Sequence, residues 1–86
     1  MEIALAPQFK RQFKKLSPAL QEEALEKIAL FRDSGHHAAL KVHKLKGALA
    51  GRFSFSVNYR YRIVFVWENA RQSAILAAIG DHAVYE

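Results

Sequence analysis

At 86 residues, 51% hydrophobic and with a formal net charge of +5, the chain has room for one small domain, residues 1–86, built on a single core. It has no cysteine, which excludes disulfides and thiolate metal sites and fits a reducing cytoplasm. No apolar run approaches the length of a membrane span and no basic-then-apolar leader opens the sequence, so a cytoplasmic protein without a membrane partner is expected.

Residues 2–6 read as a short strand with Ile3 and Leu5 directed inward. Pro7 stops it and suits the first turn of a helix. In residues 8–16, Phe9, Phe13 and Leu16 fall at helical spacing, and Lys10, Arg11, Lys14 and Lys15 fall on the other side. A solvated helix face accounts for those cations best; the alternative is an electrostatic arm for RNA or an acidic partner.

Ser17-Pro18 restarts the helical pattern, with a capping hydroxyl followed by proline at the first helical position. The second helix is predicted to run to about Arg32. Leu20, Ala24, Ile28 and Phe31 form its apolar stripe, widened by Leu25, while Glu22, Glu23 and Glu26 occupy the exposed side. Glu23 and Lys27 stand at the favourable i, i+4 spacing. Asp33-Ser34-Gly35 ends the helix, with Gly35 as the expected left-handed cap. Two such helices make a hairpin that needs a sheet to cover it.

Residues 36–50 read as a connection with at most one short turn of helix or strand. From Gly51 the period becomes that of a strand: Phe53, Phe55 and Val57 alternate with Arg52, Ser54, Ser56 and Asn58. A tight turn near Asn58 leads into residues 59–67. There Tyr59, Tyr61, Ile63, Phe65 and Trp67 share one face, and Arg60, Arg62, Val64 and Val66 the other. An unpaired guanidinium is costly to bury, so the second face should open to water, a partner or an anion. After a turn at 68–72, Ser73 to Ile79 is apolar on both sides and should lie centrally in the sheet. The predicted fold is α+β: a short N-terminal strand, a two-helix hairpin and a three-stranded antiparallel meander, with the helices on one face of a curved sheet.

From Lys41 to Arg62 there are six lysines and arginines and no acid. Such a block is expected where phosphates or an acidic partner dock. His36 and His37 are adjacent and point apart, and the four histidines show no zinc spacing. There is no glycine-rich nucleotide loop, no serine-centred hydrolase motif and no paired carboxylate in a credible cleft.

Three motifs, in this order, resemble the RelE/ParE superfamily of bacterial type II toxins: Leu45-Lys46-Gly47, then Tyr61-Arg62-Ile63-Val64-Phe65, then Ile79-Gly80-Asp81-His82 followed by Tyr85. The resemblance covers essentially the whole chain. It implies a toxin neutralised by a small antitoxin, expected here to be acidic. RelE-like members cut messenger RNA without a metal or other cofactor, usually in the ribosomal decoding site. YafQ- and YoeB-like members are similar at the end, where a histidine precedes an aromatic residue. ParE-like members share the fold and inhibit DNA gyrase, which is the alternative activity.

Metal-free cleavage of RNA needs a base for the 2′-OH, cations for the phosphate and an acid for the leaving 5′-oxygen. Arg62 matches the catalytic arginine of RelE-like toxins, and its planar fork suits two phosphate oxygens. The structural alternative is a strand arginine paired with an acid such as Glu68. His82, after a Gly-Asp corner, is the candidate acid or base, since an imidazole titrates near neutral pH. His43 matches a histidine that YafQ-like toxins place before their hairpin and is the second acid–base candidate. Lys44 and Lys46 are then phosphate contacts similar to the lysines of RelE, with Arg60 alongside, and Tyr85 is placed to stack on a base or orient the phosphate. Each of these also has an ordinary reading, as a solvated side chain or, for Tyr85, a ring packed on the core. The chain departs from some RelE toxins in carrying Asp81, an acid, where they carry a basic residue after the terminal glycine.

Overall fold

A computed structural model of the chain describes residues 1–33 and 37–81. The element order is β1 (Glu2–Leu5), α1 (Pro7–Lys14), α2 (Pro18–Arg32), β2 (His43–Lys44), a single 3-10 turn (Gly47–Leu49), β3 (Phe53–Ser56), β4 (Arg62–Glu68) and β5 (Ser73–Gly80). The α+β class is as the sequence indicates. The sheet is larger than the predicted meander: it has five strands in the order β1-β5-β4-β3-β2. It is also mixed, because β1 runs parallel to β5 while the other neighbours are antiparallel. A parallel neighbour is possible because the whole α1–α2 hairpin lies between β1 and the rest of the sheet in the chain and supplies the crossover.

Both helices begin where local chemistry puts them. Pro7 and Pro18 occupy first-turn positions, and Ser17 accepts a hydrogen bond from the Leu20 amide at 3.3 Å. The C-terminal carbonyls of α1 would otherwise lack partners. The side-chain amide of Gln21 donates to two carbonyls at that junction, Phe13 at 3.1 Å and Leu16 at 3.2 Å, and so fastens α1 to α2.

The core lies between the helices and one face of the sheet. Phe9, Ala24, Ile28 and Phe31 from the helices meet Phe55, Ile63, Phe65, Ala74, Leu76 and Ile79 from the strands. Phe31 is fully buried at the centre, its ring 4.4 Å from that of Phe55 and 4.6 Å from that of Phe65. Truncating such a ring to alanine costs about 3–5 kcal/mol. That is a large share of the roughly 4–13 kcal/mol expected for a domain of this length.

Leu76 and Ile79 both face this core although they stand three positions apart. A regular strand would turn one of them away. A bulge resolves the conflict: Val64 pairs with Ala78 but Phe65 with Leu76, leaving Ala77 as the extra residue. This is why Ser73 to Ile79 reads as apolar on both sides, and β5 does lie centrally.

Three expectations about the core are corrected. The strand expected over residues 59–67 begins at Arg62, and Tyr59 is 89% exposed because residues 57–61 form the turn before it. Leu5 and Leu25 are exposed, since β1 is an edge strand and Leu25 stands beside the stripe of Leu20, Ala24, Ile28 and Phe31 by which α2 meets the core. Among the described residues no helix is long and apolar enough to cross a membrane.

Candidate functional site

The face of the sheet away from the helices carries the candidate chemistry. Pairing fixes which residues share it. His43 stands opposite Ser54, Ser54 opposite Val64, and Ser56 opposite Arg62. Paired residues project to the same side, as do residues two apart on a strand. His43, Ser54, Ser56, Val64 and Arg62 therefore share the helix-free face. Two strand spacings and two residues separate His43 from Arg62, about 12 Å between their Cα atoms.

The turn that feeds Arg62 into the sheet is built around Asn58. Its Oδ1 accepts from the amides of Arg60 at 2.9 Å and Tyr61 at 2.8 Å, an Asx turn. Its Nδ2 donates to Glu23 Oε1 at 2.8 Å, tying the hairpin to α2. Glu23 is thus engaged by Asn58, a bond the i, i+4 pattern with Lys27 does not suggest. Arg62 curls back over the turn, and its Nη1 donates to the carbonyls of Asn58 and of Tyr61, the latter at 3.1 Å. One edge of the guanidinium is held by backbone, leaving Nε and Nη2 for an oxyanion. Glu68, six residues along the same strand, is about 20 Å away and is not its partner.

His43 is exposed, and its Nδ1 lies 3.0 Å from the Lys41 carbonyl oxygen. A carbonyl only accepts, so Nδ1 carries the hydrogen. In the neutral ring Nε2 then presents its lone pair outward. This arrangement suits a group that takes a proton.

A cleft of about 240 Å³ opens beside Arg62. Its lining includes Lys27 of α2, Lys41, Ser56, Asn58, Tyr59 and Arg62. Three of these are cations and none is an acid. Lys41 is held there by a short turn: its amide donates to the Ala38 carbonyl at 3.1 Å, and the Ser56 amide donates to the Leu40 carbonyl at 2.8 Å. The Lys41 backbone is left-handed, with φ 58°.

The other predicted residues are distributed as follows. Lys44 pairs with Phe53, a core-face residue, so it projects to the side opposite Arg62 and His43. Lys46 is exposed at the entry to the 3-10 turn, whose start Gly47 takes φ 67°. Arg60 is exposed, with its guanidinium 5.8 Å from the Tyr61 ring centroid. His82 and Tyr85 lie outside the described residues, as do Gly35 and His36. Asp81, which precedes His82, is half-buried and has an interaction of its own. His37 has a structural role: its ring stacks on Phe31 at 5.2 Å and its Nε2 lies 3.2 Å from the Phe31 carbonyl oxygen.

Sequence reasoning missed Lys27, Lys41 and Tyr59 as site residues. Lys41 belongs to the acid-free block and was legible to that extent. Lys27 stands on a helix 35 residues before Arg62, and nothing local marks it.

No protein-family model matches the chain, and no curated protein matches it either. Solved structures do. A YoeB/ParE toxin from Agrobacterium tumefaciens superposes with a TM-score of 0.76 at 16% identity, over 95% of this chain and 99% of that one. A YoeB–YefM complex from Staphylococcus aureus gives 0.73 at 21% identity, over 95% and 97%. The RelBE2 toxin–antitoxin complex from Mycobacterium tuberculosis gives 0.72 at 18% identity, over 94% and 96%. At these identities the likeness is one of fold, and it spans both chains almost from end to end.

Proposed function

We propose, from the premise that the chain has the fold of the RelE/ParE toxins, that it is the toxin of a type II toxin–antitoxin pair and cleaves messenger RNA. The observation that carries the reading is the pairing of His43 and Arg62 on the helix-free face. One presents a ring nitrogen of fixed tautomer, the other a guanidinium with one edge tethered and one edge open. Those are the base and the phosphate clamp that 2′-OH attack requires.

In this reading His43 Nε2 takes the proton of the 2′-OH. The 2′-oxygen attacks the adjacent phosphorus, and charge gathers on the equatorial oxygens, which Arg62 stabilises through Nε and Nη2. The bond to the 5′-oxygen breaks, and that oxygen takes a proton from His82. The products are a 2′,3′-cyclic phosphate and a 5′-hydroxyl, so atoms and charge balance. Lys46 and Arg60, exposed in the basic block, attract the RNA. The requirement for a 2′-OH makes the activity specific for RNA. The reaction takes place in the cytoplasm, on messages held in the ribosomal A site. The partner that restrains it is an acidic antitoxin, which the acid-free surface from Lys41 to Arg62 would attract.

Primer extension on messages after a brief pulse of expression tests the reading. Wild type should give codon-phased cuts. Arg62→Ala should reduce them by about 10²–10³-fold, and His43→Ala and His82→Ala by about 10²–10⁴-fold. Intact messages in growth-arrested cells would overturn the nuclease reading and direct attention to gyrase.

A further inference from the structure

We propose that the cleft between α2 and the β3–β4 turn is a nucleotide subsite for single-stranded RNA, in which Lys27, Lys41 and Arg62 hold one backbone phosphate and Tyr59 stacks on its base. This deepens the nuclease reading and rests on it for the identity of the substrate.

Four observations carry it. First, the lining brings together cations from three separate parts of the chain: Lys27 from α2, Lys41 from the loop before β2, and Arg62 from β4. No carboxylate is among the residues that line the cleft. Like charges gathered in a concave site repel one another, and an anion removes that repulsion.

Second, the cleft is preformed. The Lys41 backbone holds a left-handed conformation at φ 58°, which costs a lysine about 1–2 kcal/mol. It persists because the turn at 38–41 is bonded to β3 through the Ser56 amide. Arg62 is fixed by two carbonyls. Little ordering remains to be done when a phosphate arrives.

Third, Tyr59 stands at the rim and is 89% exposed. A bare aromatic ring beside a phosphate site is the arrangement that stacks an unpaired base.

Fourth, the side-chain amide in the lining, the group best suited to read a base edge, is largely engaged. Asn58, the one amide in the lining, uses its Oδ1 for two backbone amides and its Nδ2 for Glu23. Stacking without edge contacts is tolerant of sequence. At about 240 Å³ the cleft also falls below the roughly 300 Å³ of drug-sized pockets, a size for one sugar-phosphate unit. The subsite therefore adds affinity and register to any message and does not select the codon.

The test is binding of a fluorescein-labelled 2′-O-methyl RNA hexamer of mixed sequence, which has no free 2′-OH and cannot be cut. Anisotropy is read across a range of salt concentrations. Lys27→Ala and Lys41→Ala should each weaken binding on the order of tenfold at low salt and flatten the slope of log K against log salt by about 0.7. Tyr59→Ala should weaken it about tenfold with the slope unchanged. Lys15→Ala, at the exposed C-terminal cap of α1 and outside the cleft lining, is the control and should match wild type. Wild-type affinity and slope in both lysine variants would overturn the subsite, even if the wild-type protein cuts messages. The expected pattern in a protein that cuts nothing would uphold the subsite and overturn the nuclease reading. Circular dichroism melting confirms that each variant is folded.

Discussion

The Lys41 carbonyl oxygen accepts a hydrogen bond from His43 Nδ1 at 3.0 Å, so one residue contributes its charge to the cleft and its backbone to the imidazole. The two contributions separate by mutation. Lys41→Gly keeps the carbonyl and suits φ 58°, but removes the cation. It should raise KM for RNA about tenfold with kcat near wild type. Lys41→Pro cannot adopt that φ and loses the amide bonded to Ala38. It should move the carbonyl and lower kcat by about tenfold or more. Steady-state cleavage of a short RNA distinguishes the two; equal effects on kcat would show that His43 does not depend on this carbonyl.

Asn58 predicts a combined loss of stability and site order. Alanine there removes two bonds to turn amides and one to Glu23. Asn58→Ala should destabilise the domain by about 1–3 kcal/mol. Asn58→Asp keeps the turn acceptor but sets a carboxylate against Glu23. It should lose the link to α2 while retaining much of the turn. Urea unfolding midpoints of the two variants give the comparison, and a midpoint for Asn58→Ala equal to wild type would refute the role.

Gln12 bridges the end of β5 that β1 does not reach. Its Oε1 accepts from the Ile79 amide at 2.9 Å, while β1 pairs only with residues 73–76. A buried amide left without an acceptor costs about 1–3 kcal/mol. Gln12→Ala should show that loss in urea unfolding, and Gln12→Glu, which keeps the acceptor, should recover most of it. Failure of Gln12→Glu to recover stability would point to packing in place of the hydrogen bond.

The β4–β5 turn is strained. Asn69, Ala70 and Arg71 take φ values of 52°, 52° and 71°. Asparagine tolerates the left-handed region; alanine costs about 1–2 kcal/mol there. Ala70→Gly removes that strain but gives up about 0.5–1 kcal/mol of chain entropy. The net gain should be about 0.5 kcal/mol, or roughly 2–4 °C in Tm. Arg71 should be left in place, because its guanidinium lies 5.7 Å from the Phe53 ring centroid and 5.5 Å from that of Trp67. A melting scan decides it, and a lower Tm for Ala70→Gly would refute the strain argument.

By itself the sequence determined whatever depends on neighbours in the chain. Ser17-Pro18 starts α2 because a hydroxyl and a fixed φ act within one turn. Ile63, Phe65 and Trp67 share a face because a strand repeats every two residues. The alternation over residues 59–67 overruns the strand at its start for the same reason: it continues into the turn, and the bonds from the Arg60 and Tyr61 amides to Asn58 mark where the strand begins. Tertiary structure alone decided the partners. That β1 lies parallel to β5, that a bulge at Ala77 turns both Leu76 and Ile79 into the core, and that Lys44 projects away from Arg62 are consequences of pairing between distant segments. The cleft is the clearest case. Lys27, Lys41 and Arg62 become neighbours only when α2 packs on the sheet and the loop at 37–41 is bonded to β3. That packing is set by the apolar side chains around Phe31, so no pattern local to the cations could announce where they meet.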